Sequence, residues 1–509
     1  VTDAFGNTLA GQTVSVMADN GAAVASTMTT KPDGTVEISV TSQTAGISTV
    51  TATINNSTAS QNVMFIADVR TAKIADLVVI KDDSVADGAM ANMLRARVTD
   101  AFGNALGGQT VSVLADNGVT TAPTVITEQD GTVEISVTSQ TAGTSAVTAS
   151  INSSTASRNV TFVADVSTAQ IASLEVTQDN SVADGAMANM LRVRVTDAFG
   201  NALGGQTVSV LADNGVTTAP TVITEPDGTV EISVTSQTAG VSAVTATINS
   251  SSQSQNVTFI ADVSTAKIAD LVVIKDGSEA DGSTANTLRV RVTDAFGNTL
   301  AGQTVSVLAD NGATVAPTMT TKPDGTVEIS VTSQTAGISA VTATINNSTA
   351  SRDVTFIADV RTAKIADLVV IKDDSVADGA MANMLRARVT DAFGNALAGQ
   401  TVSVMAGNGA TTAPTVTTQP DGTVEISVTS QTAGTSAVTA SINSSTASRN
   451  VTFVADVSTA QIASLEVTQD NSVADGAMAN MLRVRVTDAF GNALGGQTVS
   501  VLADNGVTT

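Results

Sequence analysis

Apolar and polar residues alternate along several short stretches of this chain. In residues 94–99 every second position is apolar, and the same period of two recurs in 133–138, 147–151 and 160–162. This alternation predicts β-strands with one buried face and one face in water. No stretch has the sustained apolar stripe of an amphipathic helix. The pattern therefore predicts an all-β protein.

Turn-forming residues separate these stretches. Asp116-Asn117-Gly118 and Asp130-Gly131 provide the positive backbone angles that tight turns need. Seven short antiparallel strands with regularly spaced turns are typical of an immunoglobulin-like β-sandwich. The predicted strands of one such unit are roughly 74–81, 92–99, 109–115, 122–127, 132–139, 145–151 and 158–164.

The whole pattern repeats with a period of 97 residues. The heptapeptide Val-Thr-Asp-Ala-Phe-Gly-Asn starts at Val1, Val98, Val195, Val292, Val389 and Val486. A unit copied this regularly predicts a function that depends on length, spacing or valency rather than on one pocket. Because the chain begins and ends inside a repeat, we expect it to be a segment of a longer array.

The strand pattern stops after each Val-Ala-Asp or Ile-Ala-Asp, and a new apolar run begins a few residues later. These joints are short and contain no glycine or proline, so we expect limited bending and an elongated rod. Each repeat should add roughly 35–45 Å. The predicted domains are repeat 1 (1–68, without its N-terminal strands), repeat 2 (69–165), repeat 3 (166–262), repeat 4 (263–359), repeat 5 (360–456) and repeat 6 (457–509, without its C-terminal strands).

Particular residues are predicted to hold each repeat together. The turn glycines are exemplified by Gly103, Gly118 and Gly131, and every phenylalanine is expected in a core. The predicted core positions, named for repeat 2, are Val98, Phe102, Val133, Ile135, Val147 and Phe162.

Composition narrows the classes of function. The net charge of −24 opposes binding to nucleic acid and to anionic lipid. The chain has no His and no Cys, which removes the commonest general base, the thiol nucleophile and disulfides. No apolar run approaches the roughly 18 residues that a membrane-spanning helix needs. We predict no catalytic, cofactor-binding or metal-binding residues and no membrane insertion by this segment.

With its strands and turns in place, the repeat resembles the bacterial Ig-like (Big-1) repeats of the invasin and intimin family of inverse autotransporter adhesins. The resemblance spans the whole chain. In repeat 2 it is carried by Arg-Val-Thr-Asp-Ala-Phe-Gly-Asn at 97–104, Gly-Gln-Thr-Val at 108–111, Asp-Gly-Thr-Val at 130–133, Thr-Ser-Gln-Thr-Ala-Gly at 138–143 and Val-Thr-Phe-Val-Ala-Asp at 160–165.

The resemblance implies a role as well as a fold. In this family an outer-membrane barrel anchors the protein, and a stalk of such repeats projects a binding tip outward. The resemblance therefore implies that this segment is an extracellular stalk that supports cell adhesion or biofilm formation. The anchor, and a tip that contacts a host receptor or neighbouring cells, would lie outside this chain.

Other readings stay open at this stage. The strand faces could bind a host protein or glycan directly, although Trp and Tyr are absent from the chain. Calcium could make the joints rigid, because Asp68, Asp82, Asp83, Asp87 and their counterparts lie near them. Catalysis is not expected, since Glu134 and its copies lie on the wet side of a strand.

Overall fold

A computed structural model describes all 509 residues, as two compact units, Val1–Ile260 and Ala261–Thr509. No helix is long and apolar enough to span a membrane. In the first unit the short 3-10 helices are η1 (Val69–Thr71) and η2 (Val166–Thr168). Its strands are β1 (Thr13–Ala18), β2 (Ala23–Val24), β3 (Thr27–Thr29), β4 (Val40–Thr41), β5 (Gly46–Ile54), β6 (Ser57–Phe65), β7 (Lys73–Lys81), β8 (Ser84–Val85), β9 (Asn92–Thr99), β10 (Thr110–Ala115), β11 (Thr120–Thr121), β12 (Thr124–Ile126), β13 (Thr132–Thr138), β14 (Gly143–Ile151), β15 (Ser154–Val163), β16 (Gln170–Gln178), β17 (Ser181–Val182), β18 (Asn189–Thr196), β19 (Thr207–Ala212), β20 (Thr217–Thr218), β21 (Thr221–Ile223), β22 (Thr229–Thr235), β23 (Gly240–Ile248) and β24 (Ser251–Ile260).

The second unit continues the same series. Its 3-10 helices are η3 (Val263–Thr265), η4 (Val360–Thr362) and η5 (Val457–Thr459). Its strands are β25 (Lys267–Lys275), β26 (Ser278–Glu279), β27 (Asn286–Thr293), β28 (Thr304–Ala309), β29 (Thr314–Val315), β30 (Thr318–Thr320), β31 (Thr326–Thr332), β32 (Gly337–Ile345), β33 (Ser348–Ile357), β34 (Lys364–Lys372), β35 (Ser375–Val376), β36 (Asn383–Thr390), β37 (Thr401–Ala406), β38 (Thr411–Thr412), β39 (Thr415–Thr417), β40 (Thr423–Thr429), β41 (Gly434–Ile442), β42 (Ser445–Val454), β43 (Gln461–Gln469) and β44 (Met481–Thr487).

Each full repeat is a sandwich of two sheets. In repeat 2 the four-stranded sheet has the order β11-β13-β9-β7, and the five-stranded sheet has the order β12-β10-β14-β15-β8. Neighbouring strands are antiparallel, except that β8 pairs in parallel with β15. The sequence prediction of an all-β, immunoglobulin-like sandwich is confirmed.

The core lies between the two sheets, where the alternating apolar side chains meet. Leu94, Ala96 and Val98 on β9 are fully buried, and so are Ile135 on β13 and Val147 on β14. The apolar face that the period of two predicted is therefore the face that packs against the other sheet. Repeats 3, 4 and 5 repeat this core position by position.

A buried asparagine links the two sheets of each full repeat. The Asn92 side chain on β9 accepts a hydrogen bond from the Ser84 amide at 2.9 Å. It donates one to the Thr161 carbonyl on β15 at 2.8 Å. Both polar ends of this amide are satisfied inside the sandwich, as a buried polar group requires. The link joins the sheets in a chain that has no disulfide.

Two strands of each full repeat were not predicted from the sequence. In repeat 2 these are β8 and β11, which have two residues each and are too short to show alternation. The predicted strand 122–127 is reduced to the three residues of β12. The sandwich thus has nine strands, and the two that were not predicted lie at the edges of their sheets.

Gly131 shows why its turn requires glycine. Its φ of +77° lies in the left-handed region, and a Cβ there would lie 2.6 Å from the Val98 carbonyl oxygen. Gly103 and Gly118 also have positive φ, but a Cβ at either would meet nothing within 4 Å. All three predicted turn glycines are confirmed, and Gly131 is the most constrained because strain and crowding coincide there.

Candidate functional site: the joint between repeats

The repeated motif Asp-Ala-Phe-Gly-Asn forms a closed turn directly after the third strand of each full repeat. In repeat 3 the Asp197 carboxylate accepts hydrogen bonds from the amides of Phe199 and Asn201, both at 2.9 Å. Its second oxygen accepts one from the Asn201 side-chain amide at 2.8 Å. The motif therefore shapes one turn around one carboxylate.

The same carboxylate also holds the linker that enters the repeat. The Asp165 amide donates to Asp197 at 3.1 Å. Burial raises the pKa of Asp197, but the hydrogen bonds from Asn201, Asp165 and Phe199 together lower it by more, so its pKa lies below the usual aspartate range. Asp197 is therefore held as a charged acceptor where the linker meets the turn.

The linker itself is a single turn of 3-10 helix. The Asp165 side chain caps it by accepting from the Ser167 amide at 2.9 Å and from the Ser167 hydroxyl at 2.6 Å. The Thr168 hydroxyl oxygen then accepts from the Ala198 amide at 3.2 Å. These contacts fix the linker to the repeat that follows it.

Asn201 reaches back to the preceding repeat. Its side-chain amide donates to the Gln140 carbonyl at 2.9 Å. Its side-chain oxygen accepts from the Ala142 amide at 2.8 Å. Gln140 and Ala142 lie in a loop of repeat 2, so this one side chain hydrogen-bonds both a donor and an acceptor across the joint. We call this pair of bonds the asparagine bridge.

The receiving loop is itself held in shape. The Ser139 hydroxyl donates to the Thr141 carbonyl at 2.8 Å and accepts from the Thr141 amide at 2.9 Å. The Gly88 amide donates to the Ser139 carbonyl at 2.9 Å. Ser139 is buried. The backbone groups that meet the asparagine bridge are therefore positioned before the next repeat contacts them.

The bridge recurs at other joints within each unit. Asn104 contacts the Gln43 carbonyl and the Ala45 amide at 2.7 and 2.8 Å. Asn395 contacts the Gln334 carbonyl and the Ala336 amide at 2.9 and 2.8 Å. Asn492 contacts the Gln431 carbonyl and the Ala433 amide at 2.9 and 2.7 Å. These near-equal distances describe one kind of joint.

One joint carries an ion pair in addition. The Arg361 guanidinium in the linker before repeat 5 contacts Glu279 of repeat 4 and lies 3.0 Å from Asp359. The Arg361 side chain holds the pKa of Asp359 below its ordinary value. In the linker before repeat 2, Arg70 pairs with Asp68 at 3.0 Å.

The prediction that every phenylalanine lies in a core is wrong for the motif residue. Phe162 is 1% exposed, but Phe102 is 61% exposed and Phe199 is 45% exposed. Because the amide of this residue donates to the motif aspartate, its backbone belongs to the joint turn, and its side chain lies outside the sandwich. Phe102 is therefore a joint residue rather than a core residue.

The acidic residues near the joints are spread over separate local turns. Asp82 accepts from the Thr161 amide at 2.7 Å. Asp87 accepts from the amides of Ala89 and Met90 at 2.8 and 2.7 Å. No group of three or more Asp or Glu side chains converges on one point. Asp87 closes a turn with its own backbone neighbours, whereas Asp82 bonds the distant strand β15. Glu134 is exposed on β13 as expected.

The repeats match a known family along the chain. The model of the bacterial Ig-like domain (group 1) matches residues 1–66, 74–163, 171–260, 268–357, 365–454 and 462–509. The chain belongs to this family. The resemblance to Big-1 repeats is thereby confirmed.

Among curated proteins, the inverse autotransporter adhesin YeeJ of Escherichia coli (strain K12) is 30% identical over 470 residues. The match covers 87% of this chain but only 20% of the length of YeeJ. This chain is therefore an adhesin-like repeat region, and it corresponds to about a fifth of that relative.

Solved structures show related folds. Invasin, described as a bacterial integrin-binding protein, is 22% identical, with a TM-score of 0.37 over 77% of this chain and 82% of invasin. The D0-D1 domain of intimin is 25% identical, with a TM-score of 0.18 over 37% of this chain and 98% of the intimin fragment. Both TM-scores are below 0.5, so the family membership rests on the sixfold match.

Proposed function

We propose that this segment is the repeat stalk of a bacterial surface adhesin, which holds a distal binding tip away from the outer membrane. The asparagine bridge carries this proposal. A stalk must transmit position from one domain to the next, and at the joints within each unit one side chain that satisfies a donor and an acceptor across the joint restricts both bending and twisting. The bridge pairs with backbone groups of the receiving loop, which the Ser139 hydroxyl holds in shape.

Energetics also favour a mechanical role. A hydrogen bond contributes about 0.5–1.5 kcal/mol, so two bonds provide roughly 1–3 kcal/mol per joint. That is enough to favour one joint geometry and too little to make the repeats unfold as one body. The proposed domains are the six ranges predicted from the sequence, with joints near Asp68, Asp165, Asp262, Asp359 and Asp456.

In this proposal the segment acts without catalysis and is extracellular. A region outside this chain anchors it in the outer membrane, and a tip outside this chain contacts a host receptor or neighbouring cells. Adhesion or biofilm formation then depends on the number of repeats. The absence of His and Cys and the charge of −24 agree with a segment that neither catalyses a reaction nor binds nucleic acid.

Small-angle X-ray scattering of the 509-residue chain tests the proposal. At about 35–45 Å per repeat, the proposed rod has a maximum dimension of roughly 200 Å. The same long, thin particle is expected with calcium and with excess chelator. A compact particle in both conditions would contradict the stalk, and shortening with chelator alone would favour a calcium-dependent extender.

A further inference from the structure

Charge is divided unevenly between the two sheets of each repeat. In repeat 3 the five-stranded sheet, β17-β24-β23-β19-β21, has no charged residue in any strand. The four-stranded sheet of the same repeat carries Glu175, Arg192, Arg194 and Glu231 in its strands. In a chain with a net charge of −24, repeat 3 thus has one sheet whose strands carry no charge.

The solvent side of this five-stranded sheet, called the uncharged face, combines small hydroxyl side chains with exposed aliphatic ones. Leu211 on β19 is 74% exposed, and it lies opposite Thr245, whose hydroxyl bonds the Ser254 hydroxyl at 3.1 Å. Ile223 on β21 is 64% exposed and lies opposite Thr207. Large apolar side chains in water with no charged strand neighbour are typical of interface centres, which are depleted of charge.

Charged side chains lie beyond both ends of this face, because exposed Glu225 follows Ile223 by two residues at one end and two aspartates lie at the other. Asp213 accepts from the Ala243 amide at 2.7 Å, and Asp179 accepts from the Thr258 amide at 2.6 Å. Ala243 and Thr258 lie towards the same end of the sheet, since Thr258 pairs with Val241. Asp213 and Asp179 form a charged rim beside the Val241 end and Glu225 lies beyond the Ile223 end, whereas the strand residues between them, including Ser209 and Leu211, are uncharged.

The uncharged face recurs with small changes. Repeats 2 and 5 each add one arginine to the five strands, at Arg158 and Arg449. Repeat 4 differs most, because Asp353 lies there on β33 beside Arg352, and Glu279 lies on β26. In the other full repeats, the residues that match Leu211 are Leu114, Leu308 and Met405, and they are 73%, 71% and 75% exposed.

We propose that the uncharged face docks against the same face of a second copy of this chain, so that neighbouring chains associate side by side. Two copies repel one another at long range because each carries a charge of −24. The uncharged faces are the surfaces on which close approach adds least repulsion. Two such faces could pack sheet on sheet, with their exposed aliphatic side chains interdigitating.

The available area predicts that this contact depends on many repeats. Five strands about 4.8 Å apart and about six residues long, at about 3.3 Å per residue, cover at most about 480 Å². Two faces would bury about 950 Å², which is less than the roughly 1,200–2,000 Å² of a stable interface. One pair of repeats therefore binds weakly, and an array of repeats gains strength through avidity. This inference does not rest on the proposed stalk function.

Sedimentation velocity of the 509-residue chain, from micromolar to near-millimolar concentration, tests it. We expect the average mass to rise with concentration towards twice the monomer mass. At any one concentration the average mass should be higher when salt screens the net charge. The substitutions Leu114→Lys, Leu211→Lys, Leu308→Lys and Met405→Lys, added one at a time, should weaken the association stepwise and finally leave a monomer. Each lowers the net negative charge, so a general charge effect would act in the opposite direction.

The matched control places the same charges on the exposed side of the four-stranded sheet. Its substitutions are Ser136→Lys, Ser233→Lys, Ser330→Lys and Ser427→Lys, all at exposed strand positions. The control chain should associate at least as well as the unmodified chain. A monomer at every concentration and salt, or equal loss of association in both quadruple variants, would overturn the proposal.

Discussion

The joint between residues 165 and 166 can be compared with the joint between residues 359 and 360. Each joint has an asparagine bridge, but the two joints differ in the charged residues around it. Asn201 and Asn395 make the same pair of bonds, at 2.9 and 2.8 Å in both joints. The linker amides of Asp165 and Asp359 also donate to the motif aspartates in the same way, at 3.1 and 3.3 Å. The hydrogen-bonded frame of the joint is therefore constant.

The difference lies in the linker and in the repeat before it. Ser167 in one joint is replaced by Arg361 in the other, and Val85 is replaced by Glu279. Arg361 and Glu279 form an ion pair across the joint. Because the Arg361 side chain is 66% exposed, solvent weakens this ion pair. The comparison indicates that the asparagine bridge defines the joint and that the ion pair only adds to it.

The largest loss of stability is expected from a core substitution. It tests whether one repeat can unfold without its neighbours, which is the condition for comparing single joints. Ile135→Asp places an unpaired charge in the core of repeat 2, which costs several kcal/mol out of about 5–15 kcal/mol for a typical domain. Repeat 2 should unfold while the other full repeats stay folded. Thermal and urea unfolding followed by calorimetry measures this.

The exposed neighbour Ser136 provides the control for that experiment. Ser136→Asp adds the same charge on the wet side of the strand and should leave the unfolding profile unchanged. Collapse of all repeats in one transition with Ile135→Asp would show that the joints transmit unfolding, and the two joints could not then be treated separately.

Acid should weaken the 165/166 joint, which Asp197 holds. The folded-state pKa of Asp197 is lowered, so the stability it contributes is present above its unfolded pKa and is lost as pH falls through its folded pKa. We expect little change between pH 7 and 5, and a loss of stability below about 3.9. Urea midpoints at several pH values measure this loss.

Asp197→Asn removes this titration while keeping the side-chain shape. The difference in unfolding free energy between the unmodified chain and the variant should be largest at neutral pH and should shrink in acid. A difference that stays constant from pH 7 to pH 2 would show that the charge of Asp197 does not hold the joint.

Removing the bridge should open the two joints to different extents. Asn201→Ala removes two bonds across the 165/166 joint, and Asn395→Ala removes two across the 359/360 joint, where the ion pair remains. Thermolysin can cleave before Val166 and Val360, which are 59% and 52% exposed, so both linkers report on the same Asp-Val bond. Loss of about 1.4 kcal/mol corresponds to about tenfold faster opening.

We therefore expect Asn201→Ala to increase cleavage at 165/166 on the order of tenfold, and Asn395→Ala to increase cleavage at 359/360 by less. The untouched joint in each chain is the internal reference. If neither substitution changed the cleavage rate of its own linker relative to the untouched linker, the bridge would not control the joint.

The smallest effect is expected from removing the ion pair. Arg361→Ser gives the 359/360 linker the residue found at 167, and cleavage there should increase by less than about threefold at low salt, as expected for an exposed ion pair. High salt should abolish the difference. Arg70→Ser is the matched control, because Arg70 pairs only with Asp68, which adjoins its own linker. A large increase in cleavage with Arg361→Ser that persists in high salt would show that the ion pair holds this joint more strongly than the bridge does.

The sequence predicted the sandwich because its core signal is local. Leu94, Ala96 and Val98 reveal their buried side through alternation alone, and Gly131 reveals its turn through the Asp-Gly pair. The two-residue strand β8 could not be predicted, because it is defined by pairing with β15 about 78 residues later rather than by a pattern of its own.

The position of each joint was predicted, but the asparagine bridge could not be, for a related reason. Asn201 bonds residues 61 and 59 positions earlier, and in a strict repeat a partner in the previous repeat looks the same as a partner within its own repeat. Phe102 was misplaced because an aromatic residue next to a strand is usually buried. Its amide instead belongs to the turn closed by Asp100, and nothing in the local pattern signals that the turn faces a neighbouring repeat.

The most direct test measures a distance across one joint. Because the chain has no cysteine, spin labels on Ser136→Cys and Ser233→Cys report only on the geometry between repeats 2 and 3. Double electron–electron resonance should give one narrow distance distribution, which Asn201→Ala broadens. Asn214→Ala removes a similar amide-to-carbonyl bond within repeat 3 and should leave the distribution narrow. A broad distribution in the unmodified chain, or no difference between the two variants, would contradict a joint held by the asparagine bridge.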